Sequence, residues 1–189
     1  IMPSLVGSEM CIRDRVTSTL EQLLRETKWS NLDYLLIDLP PGTGDIQLTL
    51  AQKIPVTGAI IVTTPQDISL LDARRGLKMF EKVNVPIIGI LENMALHICS
   101  KCNNEEHIFG KDGGSKMSED YDVDLLGSLP LDIKIREDLD GGKPTVINDQ
   151  NSPITKIFSE IAVKIASKVA GYSEDHTVKF PKIVIDKNT

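Results

Sequence analysis

Two short stretches of the sequence hold the residue types that chemistry would need. The first is Asp38-Leu-Pro-Pro-Gly-Thr-Gly-Asp45. An acid that closes an apolar run can hold a small hard cation such as Mg2+, usually through water. Gly42 and Gly44 leave backbone amides bare for an oxyanion, and a following helix N-terminus favours negative charge. The plain alternative is a tight strand-to-helix turn with Asp45 as its N-cap. The second stretch is Cys99-Ser-Lys-Cys102. Two thiolates separated by two residues can grip one metal centre from a turn, but a closed site takes four ligands. One chain supplies two of them unless His97, His107 or Cys11 joins, and a second copy of the chain would complete a four-thiolate shell. Zinc in that shell and a redox pair stand as alternatives, although the motif lies in a loop and does not open an amphipathic helix as a thioredoxin-like pair does. His97 and His107 are read as packing or solvent-facing groups, not as ligands.

The elements that must position these stretches alternate along the chain. Leu32–Leu39, Ala59–Thr64, Pro86–Leu91 and Asp124–Leu129 are short apolar runs bounded by turn residues, the pattern of strands covered on both faces of a parallel sheet. Helical patterns cover Thr17–Lys28, Ile46–Lys53, Ser69–Val83 and Ser115–Tyr121. A last one, Pro153–Val169, puts Ile154, Ile157, Phe158, Ile161, Ile165 and Val169 on one stripe. Its Lys156, Lys164 and Lys168 read as a solvated face. The alternation predicts an α/β fold, a mostly parallel sheet flanked by helices, with Asp38 at the carboxyl end of a buried strand, where such sheets bind ligands. Residues 1–15 follow neither period and are expected to be non-native or disordered. Residues 16–171 form one domain carrying the two-cysteine segment as an insertion, and 172–189 a tail. In that tail Val178–Ile185 reads as an edge strand, since Pro181 keeps it from a sheet centre.

Composition narrows the class. The 189 residues are 41% hydrophobic, 25% charged and 4% aromatic with a net charge of −6, so one soluble core is affordable and a polyanion such as nucleic acid is opposed. No apolar run approaches the roughly 20 residues of a membrane span, and the first 30 residues lack a secretory pattern. The chain is therefore expected in the cytoplasm, and since three cysteines make no disulfide framework, Cys99 and Cys102 are weighed first as ligands or redox groups.

Five segments in one order, IDLPPGTGDIQLTL (Ile37–Leu50), VTTPQDISLLDARRGLKMF (Val62–Phe80), GILENM (Gly89–Met94), CSKCNNEEHIFGKDGG (Cys99–Gly114) and LPLDIKIREDLDGGKP (Leu129–Pro144), closely resemble the Mrp/ApbC family of iron–sulfur cluster carrier ATPases, a branch of the MinD-like P-loop proteins. The resemblance runs from about Leu32 to Val169. It implies a P-loop NTPase fold that binds ATP with Mg2+. It also implies a homodimer in which Cys99 and Cys102 of both subunits hold a bridging 4Fe–4S cluster, delivered to apo iron–sulfur proteins without nucleic acid or membrane as partner. Asp38 then matches the Walker B acid of the catalytic site, Gly42 and Thr43 the loop beside the γ-phosphate, and Asn93 the residue that bonds the adenine edge. Thr64–Asp67 matches a loop near the nucleotide and the dimer interface, with Asp67 as a helix cap in the plainer reading. The departure is that the sequence holds no G-x-x-x-x-G-K-[ST], no lysine-bearing variant of it, and no strand ahead of one. Gly141-Gly142-Lys143-Pro144 lacks the first glycine and the hydroxyl, and reads as a surface turn. The resemblance leaves room for two rival functions, a MinD/ParA-like positioning ATPase and an inactive fragment with a structural zinc site.

Overall fold

The computed structural model describes residues 18–19, 22–24, 26–39, 47–48, 51, 54, 56–99, 101–102 and 104–172. Three strands, β1 (Ala59–Thr63), β2 (Ile87–Glu92) and β5 (Leu125–Ser128), lie side by side in the order β1-β2-β5 and run parallel. Two helices that join them, α1 (Asp67–Lys82) and α2 (Gly113–Tyr121), cover one face, and α5 (Pro153–Tyr172) covers the other. Parallel neighbours need a crossover between them, which is why each strand is followed by a helix. Between β2 and α2 the chain makes a small antiparallel hairpin of β3 (His97–Ile98) and β4 (Glu105–Glu106). Two short helices, α3 (Ile133–Asp140) and α4 (Thr145–Asn148), lead from β5 to α5.

The core has two halves because the sheet has two covered faces. Leu70, Ala73, Leu77 and Phe80 repeat at helical spacing on α1 and meet Ala59, Ile61, Ile90 and Met117. On the opposite face Ile88, Leu126 and Leu129 meet Ile161, with Ile157, Phe158, Ile165 and Val169 of the expected stripe around them. Each fully buried Leu or Ile in these halves contributes about 1.5–3 kcal/mol.

The ladder slips twice. Ala59 pairs with Ile87 but Ile60 with Gly89, and Ile90 pairs with Leu125 but Leu91 with Gly127, so Ile88 and Leu126 each stand opposite no partner. This shift lets Ile87 and Ile90 face α1 and α2 while Ile88 and Leu91 face α5. Glycine is required at 89, since a Cβ there would lie 2.5 Å from Leu126 Cγ and 2.8 Å from the Asp124 carbonyl oxygen. The carbonyls of the two skipped residues accept side-chain donors from α5: Lys168 Nζ donates to Ile88 O at 2.8 Å and Lys164 Nζ to Leu126 O at 2.9 Å. Lys168 also pairs with Asp124. Of the three lysines expected on a solvated face, Lys164 stays exposed while its ammonium reaches the sheet and Lys168 is half-buried, because an interrupted ladder leaves carbonyls that need donors.

One expected strand does not form. Leu32–Leu39 is described, yet it contains no strand, and most of it is exposed, Leu36 to 83%. A parallel strand exists only with a hydrogen-bonded neighbour, and among the described residues β1 pairs with β2 alone. The helical pattern at 17–28 appears as helix at residues 18–19, 22–24 and 26, and that at 46–53 as helix at 47, 48 and 51. Gly141 and Gly142 follow α3 as a turn, Gly142 at φ +71°. Residues 1–15, Asp45 and the tail strand Val178–Ile185 lie outside the described residues.

Candidate functional site

The carboxyl ends of β1 and β2 hold Asn93 and the Thr64–Asp67 loop. The Asn93 amide, just past β2, donates to the Thr63 carbonyl at 2.7 Å, fastening the end of β2 to the end of β1. Its side-chain Oδ1 accepts from the Met94 amide at 2.9 Å, a local bond that holds Met94 at φ +57°, where a non-glycine residue is uncommon. Beyond β1, the Ser69 hydroxyl accepts from the Thr64 amide and pairs with the Thr63 hydroxyl, both at 3.0 Å, which shapes the Thr64–Asp67 loop. Asp67 is the first residue of α1 and Gln66 its N-cap. The acid therefore sits in the first turn, favoured there by the helix dipole, and is not the cap.

The chain leaves this place through Met94, forms the β3–β4 hairpin, and returns to it. Gly113, at the start of α2, packs so closely on the Thr64–Asp67 loop that a Cβ would lie 2.9 Å from Pro65 Cα. Cys99 and Cys102 occupy the turn between β3 and β4, closed by the Cys99 amide donating to Asn104 O at 3.0 Å. Neither is in a disulfide, Cys99 is half-buried and Cys102 exposed. The amides of Lys101 and Cys102 and the Cys102 thiol donate towards the Cys99 sulfur and hold its thiol below the usual cysteine range, with His97 adding a smaller effect. Metal ligation uses the thiolate, so these donors favour the ligating form.

Both histidines brace the hairpin. His97 Nδ1 lies 3.0 Å from the Leu131 carbonyl oxygen and His107 Nδ1 2.9 Å from that of Ala95. His97 is half-buried and His107 exposed, and no group of three or more His, Cys, Asp or Glu among the described residues could enclose a metal ion. A closed site thus needs ligands beyond the two thiols.

The nucleotide end is only partly on view. Asp38 is exposed, and its neighbour Leu39 packs against the α1-side core. Gly42 and Thr43 lie outside the described residues. Asn93 lies just past the end of β2. Asp38, with its strand unformed, ends no strand.

Sequence reasoning passed over Glu92, the last residue of β2. It is only 4% exposed, and its Oε1 accepts from the Gly114 amide at 2.7 Å while its Oε2 accepts from the Ser128 hydroxyl at 3.2 Å. The signal was present as an acid ending the apolar run PIIGILE, where a buried strand has no evident use for a charge.

Comparison with known proteins identifies the family. The sequence model described as NUBPL iron-transfer P-loop NTPase matches residues 8–166. The chain belongs to this family. An iron–sulfur cluster carrier protein of Pseudomonas fragi is 61% identical over 148 residues, 78% of this chain and 52% of that one. The mouse iron–sulfur cluster transfer protein NUBPL is 46% identical over 159 residues, 84% of this chain and 50% of that one. The chain spans about half the length of these curated relatives. Among solved structures, a nucleotide-binding protein in complex with ADP from Archaeoglobus fulgidus shares 32% identity at a TM-score of 0.63, over 72% of this chain and 55% of that one. The cell division ATPase MinD of Pyrococcus furiosus, at 22% identity and a TM-score of 0.59, covers 82% of this chain and 58% of its own, and shows the shared fold alone. The expected α/β, MinD-like P-loop architecture of the NUBPL iron-transfer family is therefore the fold of this chain. No helix among the described residues is long and apolar enough to cross a membrane.

Proposed function

We propose that this chain carries an iron–sulfur cluster on Cys99 and Cys102 and passes it to apo iron–sulfur proteins in the cytoplasm. The observation that carries the reading is the pair of unbridged thiols in one exposed turn, with backbone donors aimed at the Cys99 sulfur. Two thiolates leave a four-iron cluster half-ligated, so a homodimer supplies the other two, and the 4Fe–4S cluster is cargo held between subunits. The domain is 16–171, with the hairpin as its cluster-bearing insertion.

ATP with Mg2+ is the nucleotide of this reading. Asp38 would hold the ion through water, Gly42 and Thr43 would lie beside the γ-phosphate and Asn93 on the base. When bound, the nucleotide would supply a ligand whose phosphate state changes. The sequence contains no phosphate cradle with its lysine, so the residues present do not fit the phosphates. The rival reading, a positioning ATPase, would want a basic face for DNA or membrane, and α5 turns Lys164 and Lys168 onto the sheet.

Anaerobic reconstitution with iron and sulfide tests the proposal. The chain is expected to take up a coloured cluster and dimerise with it. Cys99→Ser or Cys102→Ser is expected to abolish the absorbance, and Cys11→Ser to leave it. Full iron and sulfide retained by the Cys99→Ser/Cys102→Ser double variant would end the reading.

A further inference from the structure

A buried acid that no ion pair meets is costly, and a protein retains one where its geometry is used. Glu92 is such an acid. None of the ion pairs among the described residues includes it, and among those residues its two oxygens take only neutral donors, the Gly114 amide and the Ser128 hydroxyl. What those donors belong to gives the contact its meaning. Glu92 is the last residue of β2, immediately before the segment that carries the cysteines, and Gly114 lies in the first turn of α2, immediately after it. The 2.7 Å bond between them spans 22 residues and closes the neck of the cysteine hairpin.

The neck is built around this one side chain. Gly114 fits tightly against it, since a Cβ would stand 3.0 Å from Glu92 Cβ and 3.2 Å from its Cδ and Glu92 would have to give way. The Glu92 carbonyl accepts from the Leu129 amide at 2.8 Å, so the residue also fastens β2 to the end of β5. Further out, the hairpin is tied down by Ala95 N to Leu129 O, Leu131 N to Leu96 O, and the two histidine contacts. All of those involve backbone or exposed limbs. Glu92 alone contributes a buried side chain, at the point where both limbs meet.

We propose that Glu92 is the positioning residue of the cysteine hairpin: its carboxyl group locks the two limbs at the neck, and thereby sets how firmly the Cys99–Cys102 turn is held and how readily a cluster leaves it. The second half rests on the cluster-carrying reading above, and the first does not. A looser neck lets the turn sample more orientations, which relaxes the geometry that two thiolates of each subunit must share around one cluster.

Amide hydrogen exchange on the cluster-free chain tests the lock itself. Loss of a bond to a buried acid should speed exchange of the Cys99 amide and its hairpin neighbours by about ten- to a hundredfold in Glu92→Ala, while the Ile90 amide in the sheet keeps its rate. Glu92→Gln, whose amide oxygen can still accept from Gly114, is expected to restore slow exchange. Should Glu92→Ala not fold, Ser128→Ala removes one of the two donors and is expected to speed the hairpin amides alone, by a smaller factor. Equal acceleration of hairpin and sheet amides, or no rescue by Glu92→Gln, would overturn the proposal. On reconstituted protein, iron release to a chelator is expected to be faster in Glu92→Ala at equal starting iron content and to return to the wild-type rate in Glu92→Gln. Selective hairpin exchange with an unchanged release rate would overturn the link to the cluster. Retention of iron by the double cysteine variant would instead overturn the cluster reading and leave the lock standing.

Discussion

Replacing Lys168 by methionine isolates the contribution of a carbonyl that the sheet leaves behind. Methionine keeps most of the apolar stem that crosses the sheet surface and removes only the ammonium. The lost contact is Nζ to Ile88 O at 2.8 Å, where Ile88 is the residue skipped in the β1–β2 register. A hydrogen bond from a charged donor contributes about 1.5–3 kcal/mol when buried. The Lys168 side chain is 30% exposed, so water recovers part of that, and a loss of about 1–2 kcal/mol remains, the surface pair with Asp124 adding little. Urea unfolding followed by circular dichroism should then show an unchanged slope and a midpoint lower by roughly 0.5–1 M. Asp124→Asn is the control, because it removes the exposed partner and leaves the carbonyl contact. A loss for Lys168→Met below about 0.5 kcal/mol, the range of ordinary surface substitutions, would refute the assignment. So would an Asp124→Asn variant as unstable as Lys168→Met.

The hydrogen bond to Lys134 holds Asp149 below the usual carboxylate range, and the same bond raises the Lys134 ammonium above its own. Their contribution is therefore complete between the ordinary carboxylate and ammonium ranges, fading as pH falls from there through the lowered Asp149 value and as it rises from there through the raised Lys134 value. Lys134→Met should flatten both limbs of the stability-versus-pH curve, and an unchanged curve would show that the pair contributes nothing. Calorimetry should find weak binding of Mg-ATP to this chain, which lacks a phosphate cradle, and micromolar affinity would mean that another segment supplies one. Asp38→Ala should leave the reconstituted cluster content unaltered, because Asp38 is not among the sulfur ligands. A fall in iron content would place it there.

The sequence made β1, β2, β5, α1 and α5 legible, since each is a run long enough for its period to show. It located the cysteine pair for a similar reason, two thiols at fixed spacing being rare outside a purpose. It misled at Leu32–Leu39, where apolar pattern records a wish for burial and says nothing about whether a neighbouring strand is there to pair. The hairpin was invisible because HICSKCNNEEH is polar and its four strand residues are too few to alternate. Lys164 and Lys168 read as solvated because their partners are backbone carbonyls freed by a register slip, a tertiary event without sequence signature. Glu92 was hidden by its company, a single acid at the end of an apolar run whose donors come from 22 and 36 residues away.

The closed neck has a consequence for how such a domain can change over time. Residues 93–113 depart from and return to one point, where Glu92 and Gly114 touch, and the strand register runs only as far as Glu92. The excursion behaves as a cassette: it can lengthen, shorten or trade its ligands while the scaffold beneath keeps its register. Excising it and bridging the neck with a short turn should leave a foldable scaffold, and the same neck offers a mount onto which a different pair of ligands can be grafted.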